Sequence, residues 1–296
     1  MKHIFITVLV LTSFYLHAQN EEYIFPTASP GGTISQVVGN TQIEIEYERP
    51  LARKRKIFGD LVPWNKVWRT GAGHCTKIKL DKPVIIEGQN VPRGHYSLFT
   101  IPNPEEWVVI INSDTSLYGS YDYNPTKDIA RFVVKPRQAG RYYEALTIDV
   151  DIMQSNAKLS ISWTSIQVDF SIITTTAADA MKYIEDQLFT DINKDSDIYS
   201  EAAQYLLFQK EHLLEGLNLA QKAIKLNKDN GAARRVKMEI YEFLQLYNEA
   251  LNEISQALEM EKNKRYEKEE TRKSEIKYWQ THQGRIKNKL DKIVKS

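Results

Sequence analysis

The sequence is poor in several features that would narrow its function at once. It contains a single cysteine, Cys75, so no internal disulfide can form and stability has to come from buried apolar surface. The formal net charge is +1, which gives no overall attraction to nucleic acid or to an anionic membrane. The longest apolar run, residues 4–16, is too short for a membrane span. We therefore expect no nucleic-acid partner and no membrane insertion.

Motifs of the common enzyme classes are also missing. The chain has no serine-centred nucleophile elbow, no glycine-rich phosphate loop, no H-E-x-x-H pair and no spaced set of cysteines. These absences argue against the commonest hydrolases, nucleotide-binding enzymes and zinc proteins. We therefore predict no cofactor, no metal site and no catalytic residue set.

The N-terminus has the features of a secretory signal peptide. Lys2 precedes the apolar run 4–16, and the small residue Ala18 ends it. We expect residues 1–18 to be removed and the mature protein to be periplasmic or secreted. Because no cysteine follows the expected cleavage point directly, a lipid anchor is not expected.

Apolar and polar residues alternate in short runs between residues 33 and 173. Ile43, Ile45 and Tyr47, for example, alternate with acidic residues, which is the period of a half-buried strand. Turn residues separate the runs, and no helix-length pattern lies between them. About ten strands of this kind predict an antiparallel β-sandwich or jelly-roll domain over residues 33–173. Residues 19–32 lack any period and are expected to be a flexible lead-in.

The predicted hairpin turn is Gly39-Asn40, between the first two strands. The later predicted strands cover residues 76–80, 84–86, 95–101, 107–112, 129–134, 143–151, 158–163 and 166–173.

The composition changes at Thr174. Residues 174–178 are predicted to be a linker, and residues 179–296 have almost no glycine or proline and show helical apolar spacing. The chain is therefore predicted to be α+β as two domains, with an all-α domain after the β domain.

An internal repeat is visible in the helical half at an offset of 34 residues. The aligned pairs are Gly216 with Ala250, Leu217 with Leu251, Ala220 with Ile254, Ala223 with Ala257, Ile224 with Leu258 and Leu226 with Met260. This pattern resembles tetratricopeptide repeats, in which small residues let two helices pack closely. We predict repeats at 197–230 and 231–264, a preceding helix at 178–193 and a basic capping helix at 265–294. Such helices are expected to dock a protein partner in a shallow groove.

The most unusual stretch is residues 47–78. From Arg49 to Lys79 there are nine lysines and arginines and one acid, Asp60. Aromatic residues and turn-forming prolines and glycines are interspersed among them. The pattern predicts a long ordered connection, the kind of segment on which binding sites are commonly built.

Several motifs in order and spacing resemble the family known as domain of unknown function 2911, over about residues 29–173. They are R-P (49–50), I-F-G-D-L-V-P-W (57–64), V-W-R-T-G-A (67–72), G-H-Y-S-L-F-T-I-P (94–102), E-W-V-V-I-I-N (106–112) and L-S-I-S-W (159–163). The resemblance implies an exported protein with a β domain, sometimes followed by tetratricopeptide-like helices, and it implies no established activity. Relatives usually read R-T-G-A-N-E-A-T, where this chain has Gly73, His74 and Cys75. Any chemistry carried by the usual Asn and Glu would be missing here.

We predict that Arg49 and Arg69 form a ligand-binding site together with Trp68, His74 and Tyr96. Two guanidinium forks beside aromatic rings could cradle a small anionic or glycan ligand. The alternative is that each arginine is structural, tied to loop carbonyls or to an internal acid such as Glu46 or Glu48. The cationic run 53–56 is expected to be a solvated loop tip.

Three functional hypotheses follow. The leading one is an exported, non-catalytic binding module. The alternative is an extracytoplasmic hydrolase acting on carbohydrate or ester with His74 or His95 as base. In the third, only the helical domain has a functional surface.

Two smaller features carry open alternatives. Cys75 stands where relatives have alanine and is expected to be a small buried residue, on the opposite face from His74. An aromatic and acidic loop after Asn112 suits either sugar recognition or simple loop packing. Its members are Tyr118, Tyr121, Asp122, Tyr123, Asn124 and Asp128.

Overall fold

The structure is a computed structural model that describes residues 25–190 and 195–295. The predicted signal peptide at 1–18 and residues 19–24 of the expected lead-in lie outside the described residues. None of the helices within the described ranges has both the length and the apolar content of a membrane span.

Ten strands within the described ranges form two antiparallel sheets that share one core. The larger sheet has the order β1-β2-β3-β6-β7-β8, and the smaller has the order β5-β4-β10-β9. The strands are β1 (Gly31–Val38), β2 (Thr41–Glu48), β3 (Thr76–Leu80), β4 (Val84–Ile86), β5 (Gln89–Val91), β6 (Gly94–Ile101), β7 (Trp107–Asn112), β8 (Asp128–Val134), β9 (Arg137–Met153) and β10 (Asn156–Thr174). The predicted antiparallel β-sandwich is confirmed.

The strand boundaries differ from the predicted ones in several places. β9 begins at Arg137, six residues before its predicted start at 143. β1 begins at Gly31, inside the expected lead-in. β5 was not predicted, because Gln89–Val91 is short and mostly polar. The predicted strands 158–163 and 166–173 form one strand, β10, whose pairing with β9 shifts register around Thr164 without ending.

The main core fills the space between the two sheets. Alternation places Ile43, Ile45 and Tyr47 of β2 in it, beside Trp107 and Trp163, which are 1 % and 2 % exposed. Fully burying one large apolar side chain contributes about 1.5–3 kcal/mol to the free energy of unfolding. Because the chain has no internal disulfide, this core is the main source of its stability.

A second, smaller core covers the opposite face of the larger sheet. Its members are Cys75, Phe99, Ile110 and Leu117. Cys75 is 3 % exposed, and its Sγ lies 3.0 Å from the Ser97 Oγ. The expectation that Cys75 is a small buried residue is confirmed.

The C-terminal region consists of helices. They are α1 (Thr176–Tyr183), continued by a π-helical turn (Ile184–Leu188), α2 (Ser196–Gln209), α3 (Leu213–Leu226), α4 (Gly231–Phe243), α5 (Tyr247–Asn263) and α6 (Glu269–Lys295). Helices that are consecutive from α2 to α6 pack on one another, and α2 also packs on α4. The predicted repeats therefore correspond to the pairs α2–α3 and α4–α5. The last three residues of the helix predicted at 178–193 lie outside the described ranges.

The predicted linker at 174–178 is not a separate connection. β10 runs to Thr174, and α1 begins at Thr176. The Thr176 Oγ1 accepts a hydrogen bond from the Asn40 backbone N–H at 3.0 Å and donates to the Asn40 Oδ1 at 2.9 Å. At Gly39, where φ is +58°, a Cβ would lie 2.2 Å from the Thr176 Oγ1. The first hairpin turn therefore holds the start of the helical region.

Candidate functional site

The long connection between β2 and β3 is pinned to both sheets. Leu51 forms a bridge with Ala145 of β9, on the smaller sheet. Trp68 forms a bridge with Thr100 of β6, on the larger sheet, through two backbone hydrogen bonds of 2.7 and 2.9 Å. Because one bridge joins the connection to each sheet, the connection covers one end of the sandwich.

Four aromatic rings pack together at this end of the sandwich, two from the connection (Phe58 and Trp68) and two from the strands β7 and β10 (Trp107 and Trp163). Trp68 stacks on Trp163 with ring centroids 5.9 Å apart and an interplanar angle of 18°. Phe58 and Trp107 meet Trp68 edge-on, at 6.0 and 6.3 Å. The Trp68 indole N–H donates to the Gly71 carbonyl at 3.1 Å. The rings form a rigid floor for the space above them.

A cavity of about 250 Å³ lies over this aromatic floor, between the bridges at Leu51 and Trp68. Three of its lining residues are arginines, Arg53, Arg55 and Arg69, and we call it the arginine pocket. Its apolar lining includes Pro50, Leu51, Leu61, Val62, Trp68 and Trp163. No aspartate or glutamate is among the described residues that line it. The pocket therefore presents excess positive charge beside apolar surface.

Two of the arginines are held by backbone carbonyls. The Arg53 Nη2 donates to the Ala28 carbonyl at 3.1 Å. Arg55 donates from Nε to the Ala52 carbonyl at 3.1 Å and from Nη2 to the Leu51 carbonyl at 2.7 Å. A guanidinium has five N–H donors, so each group is fixed in place and retains donors for a ligand.

Arg69 differs from the other two. Its Nε is buried, and no acceptor for it exists among the described residues. Leaving a buried donor unpaired costs about 1–3 kcal/mol. Because this atom is shielded from the cavity as well as from solvent, a ligand would be contacted by the other N–H groups of the Arg69 guanidinium.

Four of the ten non-glycine residues with positive φ in the described ranges lie at or beside the pocket. Arg53, Lys54, Thr70 and Thr164 have φ values of +49°, +59°, +55° and +53°. These residues line the pocket or adjoin residues that do, and left-handed backbone is rare for β-branched threonine. Such residues cost on the order of 1–3 kcal/mol each and are often found at functional sites.

Three hydrogen bonds stabilise the backbone conformation at Thr70, one of them from its Oγ1 to the Trp68 carbonyl at 3.3 Å. Its Oγ1 lies 3.0 Å from the Thr100 Oγ1, and its carbonyl accepts from the Thr76 Oγ1 at 2.7 Å. Because Thr70 follows Arg69 directly, these contacts fix the backbone that presents Arg69 to the pocket.

Of the five predicted site residues, Trp68 and Arg69 lie together in the arginine pocket and Arg49 does not. The Arg49 guanidinium donates to the Leu146 carbonyl at 3.1 Å and to the Thr147 Oγ1 at 3.0 Å. The predicted convergence of Arg49 and Arg69 is therefore wrong. Arg49 comes directly after β2, where the Leu146 carbonyl and the Thr147 hydroxyl of β9 accept its hydrogen bonds, rather than the loop carbonyls or the acids Glu46 and Glu48 of the structural alternative.

Tyr96 and His74 also lie away from the arginine pocket. Tyr96 is 6 % exposed and donates from its hydroxyl to the Pro92 carbonyl at 2.8 Å. Burial raises the pKa of this hydroxyl. His74 is exposed, and its ring meets the Tyr118 ring at a right angle. The backbone N–H of His74 donates to the Glu48 Oε1 at 3.2 Å.

Arg53 and Arg55 are the pocket residues that sequence reasoning missed. They belong to the run expected to be a solvated tip, and all four residues of that run are exposed. Arg53 and Arg55 also donate to backbone carbonyls and line the pocket, whereas the side chains of Lys54 and Lys56 have no hydrogen bond among the described residues. The sequence feature that distinguishes Arg53 and Arg55 from the lysines of this run is the guanidinium group, which can bind carbonyls and a ligand at the same time.

The two histidines of the β domain are separate from each other and from the pocket. His74 lines one surface cavity and His95 another. Within the described ranges, no hydrogen bond joins either imidazole to a carboxylate or a hydroxyl, and no cluster of three metal-ligating side chains occurs. His74 is exposed and Cys75 is buried, so they lie on opposite faces as predicted.

The loop after Asn112 divides into packed and exposed parts. The Tyr123 hydroxyl donates to the Asp128 Oδ2 at 2.7 Å, and burial together with this bond raises the pKa of Tyr123 to about 12. Tyr118 and Tyr121 are 65 % and 86 % exposed. Loop packing therefore accounts for Tyr123 and Asp128, and the two exposed rings need another explanation.

The fold and the pocket together define a two-domain protein, in which an antiparallel β domain carries an arginine-lined pocket and helical hairpins follow. Residues 29–172, which make up nearly all of the β domain, match the family described as "Protein of unknown function (DUF2911)". No curated protein and no solved structure is significantly similar to this chain.

Proposed function

We propose that this protein is an exported, non-catalytic binding module whose β domain holds a small organic anion in the arginine pocket. The observation that carries the proposal is a cavity lined by three arginines, Arg69 among them, and by no acid among the described residues. Guanidinium groups bind carboxylates through two parallel hydrogen bonds, which matches an acceptor placed against Arg69.

The size and lining of the pocket restrict the ligand further. A volume of about 250 Å³ suits a small molecule. The indole rings of Trp68 and Trp163 provide apolar contact beside the charges. An acidic sugar or a dicarboxylate offers both a carboxylate and carbon-bound hydrogens, and we propose this class of ligand.

We propose that the helical region docks an extended segment of a protein partner between α2 and α4. A groove of about 400 Å³ there is lined by Tyr205, Phe208 and Val236, among others. Phe208 is 69 % exposed, and the Tyr205 hydroxyl is buried with no hydrogen-bond partner among the described residues. A partner segment with an apolar side chain would pack on Phe208 in this groove.

We do not propose the hydrolase alternative. It required His74 or His95 to lie within hydrogen-bond reach of a carboxylate or hydroxyl in an open cleft. Neither imidazole has such a contact in the described structure.

Binding in the arginine pocket is expected to be independent of pH between about 5 and 9. Guanidinium groups stay protonated throughout this interval, and simple carboxylates are ionised above about pH 5. Isothermal titration of the wild-type chain with glucuronate and galacturonate at both limits measures this, because the second carboxyl group of succinate or malonate titrates between about pH 5 and 6 and would itself change the affinity. A loss of affinity as the pH rises through 7 would instead indicate a histidine in the site.

The partner groove is expected to give one discrete adduct when a photo-crosslinking residue replaces Phe208 in the source cell. The matched control replaces Tyr183 of α1, an aromatic residue that is 45 % exposed and outside the groove. Identical adduct patterns from the two positions would contradict the proposal.

A further inference from the structure

A polar trough runs along the outer face of the larger sheet, on the side away from the main core. Two cavities of about 250 and 300 Å³ form it, and both are lined by Glu46 and Lys77. His95 lies at one end and His74 at the other. Glu46 alternates with the inward-facing Ile45 and so belongs to the outer face. We call this surface the outer trough.

The centre of the outer trough holds two charged groups that do not pair. Glu46 of β2 and Lys77 of β3 are register partners, yet among the described residues no hydrogen bond or ion pair joins them. The neighbouring pair, Lys79 and Glu44, does form an ion pair at 3.0 Å. A carboxylate acceptor and an ammonium donor are therefore left side by side, facing solvent.

Exposed aromatic rings stand at the His74 end. The Tyr118 ring meets the His74 ring edge-on at 5.1 Å and is 65 % exposed, and Tyr121 close by is 86 % exposed. At this end the Glu48 carboxylate packs against Gly73. A Cβ added to Gly73 would lie only 2.2 Å from the Glu48 Oε1. The exposed Tyr118 ring, in contact with His74, therefore lies at the edge of the trough.

This combination has the chemistry of a saccharide site. Neighbouring hydroxyls of a sugar can donate to a carboxylate and accept from an ammonium group, and the carbon-bound hydrogens of the ring stack on an aromatic face. The charges argue against an anion, because three carboxylates (Glu44, Glu46 and Glu48) face two ammonium groups (Lys77 and Lys79). The length of two joined cavities suits a chain of sugars rather than one ring.

We propose that the outer trough binds a neutral oligosaccharide chain, with Glu46 and Lys77 holding its hydroxyls and Tyr118 stacking on a terminal ring. This site is independent of the arginine pocket, which lies at the end of the sandwich and shares no lining residue with it.

The test is affinity electrophoresis of the full chain in gels containing starch, xylan, mannan or hydroxyethyl cellulose, followed by titration with an oligosaccharide of the retarding polymer. Tyr118→Ala is expected to weaken binding about tenfold, because one stacking contact is lost. The double variant Tyr118→Ala/Glu46→Gln is expected to bind more weakly still. The matched control is Tyr142→Ala, which removes a tyrosine that is 56 % exposed on β9. Tyr142→Ala and Arg69→Ala are both expected to bind like the wild type.

Three results would overturn the proposal. The first is the absence of retardation by all four polysaccharides. The second is equal binding by Tyr118→Ala and Tyr142→Ala. The third is loss of saccharide binding in Arg69→Ala, which would place the sugar in the arginine pocket and leave the outer trough without a ligand. A failure of the anion titration alone would not affect this site.

Discussion

Arg69→Ala is expected to weaken the binding of a small carboxylate about 100-fold and to leave the free energy of unfolding within about 0.5 kcal/mol of wild type. Each hydrogen bond between a guanidinium and a carboxylate contributes about 1.5–3 kcal/mol, and two such bonds correspond to at least a hundredfold in affinity. Stability should hold because the buried Nε of Arg69 has no partner among the described residues. Isothermal titration and urea unfolding measure the two effects.

Two other arginines provide matched controls. Arg49→Ala is expected to do the reverse of Arg69→Ala, since Arg49 bonds to Leu146 and Thr147 of β9 and does not line the pocket. It should lower stability by about 1–3 kcal/mol and spare affinity. Arg93→Ala, at an exposed arginine outside the pocket, should change neither. If Arg49→Ala and Arg69→Ala reduced affinity equally, the assignment of the pocket would be wrong.

Trp163→Ala is expected to destabilise the β domain by about 3–5 kcal/mol, a large part of the stability of a typical domain. Trp163 is 2 % exposed and stacks on Trp68, so its removal opens a cavity under the arginine pocket. The corresponding fall in Tm is on the order of 10 °C for a domain of this size. Differential scanning calorimetry of the full chain measures it.

Trp64→Ala is the comparison for this prediction. Trp64 stacks on Phe58 in the same connection and is only partly buried at the margin of the main core. Less apolar surface is lost there, and the destabilisation should be less than half as large. Equal losses at Trp64 and Trp163 would show that the aromatic floor does not carry the stability assigned to it.

Much of the fold follows from short-range patterns in the sequence. The alternation of Ile43, Ile45 and Tyr47 predicts β2 and its inward face, and the 34-residue offset predicts the two helix pairs. β5 escaped prediction because three mostly polar residues show no period. The continuity of β10 was missed because Thr164 takes a left-handed backbone conformation within it, which no local pattern announces.

The site was only partly predictable. Trp68 and Arg69 were identified from the charge and aromatic content of the long connection, and the structure places both in one pocket. Arg49 was assigned to that pocket incorrectly, and Arg53 and Arg55 were left out of it. Which arginines face the cavity depends on where the connection pairs with β9 and β6, and these contacts are distant in sequence.

The central claim is that Arg69 binds an anionic ligand. The NMR signal of the Arg69 Nε–H group tests this claim most directly. The proton and nitrogen resonance of this group can be assigned by its loss in Arg69→Lys, and then followed by NMR as succinate or glucuronate is added to the wild-type chain. We predict a saturable shift of the Arg69 Nε–H signal that matches the calorimetric affinity for the same anion. An Arg69 signal that stays in place while the other arginine signals shift would contradict the account.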